Sequence, residues 1–135
     1  MTIIQLLLIA AGGALGALSR YFVGTWVQAK LPNSTFPWGT FVINATGSLI
    51  IGLVATLLAE KVLNHPNIRP FVTIGFVGAY TTFSTFEYES LQLGSSWQAL
   101  VNLIGSVIIG YGCVWLGVGL AHLIAQHGHR AIGPS

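Results

Sequence analysis

Four stretches of almost uninterrupted apolar side chains, at about residues 3–28, 37–59, 70–93 and 97–125, dictate most of what this chain can become. Each reaches the roughly 20 residues that a helix needs to cross a hydrocarbon core. Only 6% of the 135 residues are charged and 53% are hydrophobic, a balance that leaves too little polar surface to cover a water-soluble domain. Inside lipid every backbone amide and carbonyl has to be satisfied internally, which makes the four stretches helical. The predicted fold is an all-α membrane protein of four transmembrane helices. One four-helix transmembrane domain covers 1–126, and a flexible tail, "HGHRAIGPS", covers 127–135.

The first stretch lacks a basic leading region and a small-x-small cleavage site, so it reads as a retained helix rather than a signal peptide. The connections "KLPNSTFP", "EKVLNHPNIRP" and "LGSS" are short and rich in turn formers. Five basic residues, widely dispersed, are too few for a nucleic-acid footprint. The single Cys113 has no partner for a disulfide and reads as apolar filler. Lys61, Arg69 and Arg130 fall at one side of the membrane and Lys30 at the other, a bias weak enough to permit insertion in both orientations. Two oppositely inserted copies can pair antiparallel.

Small residues recur four apart at Gly12 and Gly16, Gly13 and Ala17, Ser48 and Gly52, and Ser106 and Gly110. Such spacing lets helices approach closely. Four helices packed in this way leave no lumen within one subunit, so a solute pathway is expected at a subunit interface.

Enzymatic chemistry is poorly supplied. The acidic residues are Glu60, Glu87 and Glu89, and no histidine lies in the first three apolar stretches. His65, His122, His127 and His129 sit in a loop or near the end of the chain and receive no role; "HGH" reads as a solvated tail rather than a metal site. A proton-coupled small multidrug exporter would share this size and helix number, but it needs a carboxylate in the first helix, and residues 1–28 contain none.

Polar residues inside the apolar stretches are the candidates. Arg20 lies deep in the first, where a charge costs about 2.5–3.5 kcal/mol on insertion scales. It either snorkels to the headgroups or lines an aqueous vestibule and concentrates anions. Asn44 is near the centre of the second stretch, one turn after Thr40 on the same face. It is either an interhelical hydrogen-bonding group or a donor aimed into a pore. Asn102 and Ser106, also one turn apart, admit the same two readings.

The third stretch contains "GAYTTFSTFEYES" at 78–90, a cluster of hydroxyls and phenyls behind a glycine. Hydroxyl side chains compete for helix hydrogen bonds and glycine weakens the helix, so an interruption is predicted here. Phe83 and Phe86 share one helical face, beside Thr81, Thr82, Ser84 and Thr85. Positive ring edges and hydroxyl donors can coordinate a small anion without the full charge that would hold it too firmly. A break at membrane depth also frees carbonyls suited to a hard cation.

These residues, in the blocks "GGALGALSRY" (12–21), "PWGTFVINATGSLIIG" (37–52), "GFVGAYTTFSTFEYES" (75–90) and "NLIGSVIIG" (102–110), resemble the CrcB/Fluc family of fluoride channels over nearly the whole chain. The resemblance implies an antiparallel, dual-topology homodimer in the bacterial inner membrane, with two passive pathways that export cytoplasmic fluoride. By motif, Phe83 and Phe86 match the family's paired phenylalanines and Asn44 its pore-facing asparagine. Ser84, Thr85 and Ser106 match its hydroxyl track and Arg20 its vestibule arginine. Gly78 and Thr81 match the positions whose carbonyls hold a structural, untransported sodium ion, Na+, at the dimer centre. Glu89 matches an acidic position after the break. Ala79-Tyr80 stands where many relatives have Gly-Leu, and Glu87 is an added charge expected to face away from the pathway.

Overall fold

A computed structural model describes the backbone of residues 2–131 and the side chains through His127. Helix α1 (Ile3–Lys30) opens on a capping box read directly from "TIIQ": Thr2 Oγ1 accepts from the Gln5 amide at 3.3 Å while the Thr2 amide donates to Gln5 Oε1 at 3.0 Å. Pro37 precedes α2 (Trp38–Ala59). That helix closes with Lys61 at φ 56° and the Val62 amide bonded back to the Leu57 carbonyl at 3.0 Å, a turn that normally favours glycine. Three of the helices are long and apolar enough to cross a membrane: α1, α2 and α5 (Trp97–Ala131).

The remaining segment between α2 and α5 is not one helix. Arg69–Val77 is π-helical and begins with Pro70 in its first turn, α3 (Gly78–Tyr80) follows, Thr81 and Thr82 are extended, and α4 (Phe83–Gln92) completes the passage. The interruption expected within 70–93 therefore falls at Thr81-Thr82. Gly94, at φ 66°, ends the segment, and Ser96 caps α5 by accepting from the Ala99 amide. Helix α5 continues to Ala131, beyond the expected end near 125 and into the stretch expected to be a flexible tail. The rest of that expected tail, 132–135, lies outside the described residues.

Glycine contacts fix how the segments pack. Any Cβ on Gly12 or Gly16 would collide with the carbonyls of Phe71 and Phe76, and one on Gly75 would lie 2.7 Å from the Ile9 carbonyl, so α1 rests on the π-helical segment backbone to backbone. Gly52 meets the Val114 carbonyl and Gly117 the Leu49 carbonyl in the same way between α2 and α5. Thr35 Oγ1 donates to Gln98 Oε1 at 3.1 Å near the start of these two helices, and His122 lies 3.6 Å from Glu60 near the end of α2. The two helices consequently run parallel. The small-residue spacings at 12/16 and 48/52 thus mark close approaches, whereas a Cβ on Gly110 would meet Ser48 Oγ only at an ordinary 3.5 Å and one on Gly13 the Gly75 carbonyl at 4.0 Å.

Large apolar side chains remain exposed along every face, among them Leu7, Phe22, Trp26, Ile108 and Trp115. In water such a surface would aggregate; in a bilayer it is the lipid-facing skin. The molecule is a multi-pass helical membrane protein.

Candidate functional site

The break is held from α2. Asn44 sits opposite Thr82 and makes two bonds to its backbone: the Thr82 amide donates to Asn44 Oδ1 at 2.9 Å, and Asn44 Nδ2 donates to the Thr82 carbonyl at 3.1 Å. Of the two readings open to Asn44 in the sequence, the interhelical bond is present. Two residues on, Thr46 Oγ1 lies 2.9 Å from the Tyr80 hydroxyl, and Tyr80 is buried with its ring stacked on Phe76 at 5.7 Å. Next in the chain, Gly47 faces Thr81; a Cβ there would overlap the Thr81 methyl group. Three residues of α2 thus contact Thr82, Tyr80 and Thr81.

The break leaves groups without their helical partners. In a continuous helix the Thr82 amide would bond to the Gly78 carbonyl four residues earlier. Asn44 takes that amide instead. Gly78 is exposed, and Thr81, at φ −77° and ψ 156°, turns its peptide out of the helical direction. Thr82 then restarts the chain as N-cap of α4, its Oγ1 accepting from the Thr85 amide at 3.4 Å.

Phe83 and Phe86 follow at once, their ring centroids 5.8 Å apart and tilted by 45°. Phe83 is 70% exposed and Phe86 only 6%, so the pair runs from the protomer's outer face into its interior. A cavity of about 430 Å³ collects Asn44, Gly78, Thr81, Phe83, Phe86 and Ser106. A second cavity of about 400 Å³ collects Arg20, Thr40, Thr85 and Glu89. Thr82 lines both and stands between them. Because Gly78 and Phe83 are exposed, the first cavity opens on the protomer's surface rather than through its middle.

Asn44, Gly78, Thr81, Phe83, Phe86 and Ser106 line the first cavity, and Arg20 and Thr85 the second. Ser84 is the exception: it is exposed and lines neither cavity, because one residue along the helix from Phe83 it points about 100° away from the face that Phe83 and Phe86 share. Glu87 is likewise exposed and lines neither. Arg20 lines the second cavity and makes no ion pair among the described residues. Glu89 is half-buried there, with Oε2 buried and unpartnered among the described residues.

A further polar chain steadies α4. Ser90 Oγ donates to the Phe86 carbonyl at 2.7 Å, Asn102 Nδ2 donates to Ser90 Oγ at 2.8 Å, and Ser106 Oγ donates to Asn102 Oδ1 at 3.2 Å. Asn102 is 1% exposed, and its amide links Ser90 of α4 to Ser106 of α5. The contribution of Ser90 has no local signal, because its partner lies on the next helix. Tyr80 and Thr46 escape notice for the same reason.

A broken segment between long apolar helices, with paired phenyl rings beside a largely apolar cleft that carries Asn44, Thr81 and Ser106, defines a class of multi-pass helical membrane protein. Comparison with known families narrows the class. Residues 7–118 match the family described as CrcB-like protein, Camphor Resistance (CrcB), and the chain belongs to that family. A relative from Solibacter usitatus is 46% identical over 85% of this chain and 96% of its own length. One from Acidobacterium capsulatum is 48% identical over 82% and 90% respectively, and one from Hahella chejuensis 39% identical over 92% and 99%. All three carry the name fluoride-specific ion channel FluC.

Proposed function

We propose that this chain is a fluoride-selective ion channel that lets cytoplasmic fluoride leave a bacterial cell passively across the inner membrane, relieving fluoride toxicity. The observation that carries the reading is the first cavity, where Asn44, Phe83, Phe86 and Ser106 meet beside the break and no charged side chain intrudes. Fluoride is the smallest halide and the strongest hydrogen-bond acceptor among them. Neutral polar groups with the positive edges of phenyl rings replace its water without binding it as firmly as an ammonium or guanidinium would. Arg20, in the second cavity with Thr85, supplies the attractive field at the entrance. The relatives' shared name supports fluoride as the ion.

A cavity open on one side of a protomer calls for a second wall. We assign that wall to a second copy inserted in the opposite sense, giving an antiparallel homodimer. The fold places Lys61 and Arg69 with the end of α5 at one side and Lys30 at the other, a charge bias too small to enforce a single orientation.

The break also fits a structural sodium ion on the dimer axis. The Gly78 carbonyl has lost its helical donor to Asn44, Gly78 is exposed, and Thr81 is extended. Neutral backbone oxygens of this kind suit a hard monovalent cation. Gly78 and Thr81 of each protomer would hold it, and its charge would tie the two broken segments together without being transported.

Purified protein in liposomes tests the reading. Fluoride efflux under a potassium-valinomycin shunt is expected to be fast, chloride efflux absent, and Phe83→Ile or Phe86→Ile strongly impaired. Equal chloride release would end the selectivity account, and strict proton coupling would end the channel account.

A further inference from the structure

Asn44 carries more than its place beside the cavity. Its side-chain amide makes both of its observed bonds to one peptide unit, accepting from the Thr82 amide at 2.9 Å and donating to the Thr82 carbonyl at 3.1 Å. We propose that Asn44 is a positioning residue: it substitutes for the helix at Thr82, keeps the Thr82 amide off the Gly78 carbonyl, and so sets both the break and the direction in which α4 carries Phe83 and Phe86.

Three observations lead there. The first is competition for one donor. The Thr82 amide can return to Gly78 and heal the helix or go to Asn44 and keep it broken, and in the structure it goes to Asn44. The second is position. Thr82 is the N-cap of α4, and Phe83 is the first residue of that helix, so whatever fixes the Thr82 peptide fixes the helix carrying both rings. The third is that the neighbouring contacts on α2 serve the same end: Thr46 holds the Tyr80 hydroxyl at 2.9 Å, and Gly47 makes room for Thr81. The contacts that hold the break therefore come from α2 of the same protomer. A donor aimed only at a passing ion would not need both ends of its amide engaged on one peptide.

The consequence for conduction rests on the fluoride-channel reading, but the clasp itself does not. The discriminating change is a backbone one. Replacing Thr82 by its α-hydroxy acid turns the Tyr80–Phe83 stretch into one with an ester at residue 82, which deletes the amide hydrogen and leaves every side chain, Asn44 included, in place. Loss of a hydrogen bond of about 1.4 kcal/mol corresponds to about a tenfold fall in fluoride efflux. The ester and Asn44→Ala are each expected to lower efflux by about that factor, and the two together by no more than either alone. If the ester conducts within twofold of the unmodified protein, or if the two losses multiply, Asn44 acts on the ion and not through Thr82. A second measurement needs no conduction at all. With 15N-threonine-labelled protein in micelles, the Thr82 amide is expected to exchange with solvent slowly in the unmodified chain and quickly in Asn44→Ala. Equal exchange in both would overturn the clasp, whereas failure of unmodified liposomes to pass fluoride would overturn the channel reading and leave the clasp to be decided by exchange.

Discussion

Gly47→Ala followed by Thr81→Ser gives a sharp test of how the break is seated. The methyl group introduced at residue 47 would overlap the Thr81 methyl group, and it would also come within 3.3 Å of the Tyr80 ring. Thr81 cannot simply swing aside. Its hydroxyl bonds to the Val77 carbonyl at 3.0 Å, and the next peptide is pinned by Asn44. Relief has to come from displacing the extended pair itself. Overpacking of one methyl in a tight site costs about 1–3 kcal/mol. If all of that opposes the conducting geometry, fluoride efflux falls by roughly 5- to 150-fold. Thr81→Ser removes the colliding methyl while keeping the hydroxyl and the carbonyl, at a cost of about 0.8 kcal/mol for the lost buried group. The double variant is therefore expected to recover most of the lost rate, with size-exclusion profiles confirming equal assembly in all four proteins. An unimpaired Gly47→Ala would show that the close approach is dispensable. A double variant as slow as the single one would show that the collision is not the cause.

Other substitutions follow from the same geometry. Asn102→Ala removes two hydrogen bonds, at about 0.6–1 kcal/mol each inside a membrane, and leaves a void the size of a water. A loss of about 2 kcal/mol is expected in a reversible detergent or steric-trapping titration, with less than additive loss when combined with Ser90→Ala. Lys61→Gly relieves a left-handed residue at the end of α2 and is expected to stabilise the protein by about 1 kcal/mol in the same titration, with fluoride efflux unchanged. Glu60→Gln breaks the 3.6 Å contact with His122, but both side chains are nearly half exposed, so stability should shift by less than about 0.5 kcal/mol.

The spans and the break were legible in the sequence because both are written locally. Length and apolarity mark α1, α2 and α5, Thr2 with Gln5 marks the start of α1, and glycine followed by hydroxyls marks the interruption near Thr81. What the sequence could not show is register between helices. Asn44 is plainly an amide in need of partners, but that the partner is the backbone of Thr82, 38 positions away, depends on how far α2 slides along the third segment. Ser90 and Asn102 face the same difficulty from opposite sides of a turn. Gly47 is a subtler case. It has no small neighbour four residues away, Ile43 and Ile51 holding those places, so small-residue spacing passes over it. Gly12 and Gly16 admit a helix backbone, which needs a groove of two small residues; Gly47 admits one side chain, which needs a single gap. Ser84 lines neither cavity of the protomer. Its place in the motif assigns it to the track, yet adjacent residues on a helix point about 100° apart, and only those three or four apart share a wall. Neighbours in the sequence are therefore a poor guide to a pathway once the chain re-enters a helix, while the two extended residues before it, where that rotation is suspended, are the ones that α2 can hold by backbone and side chain together.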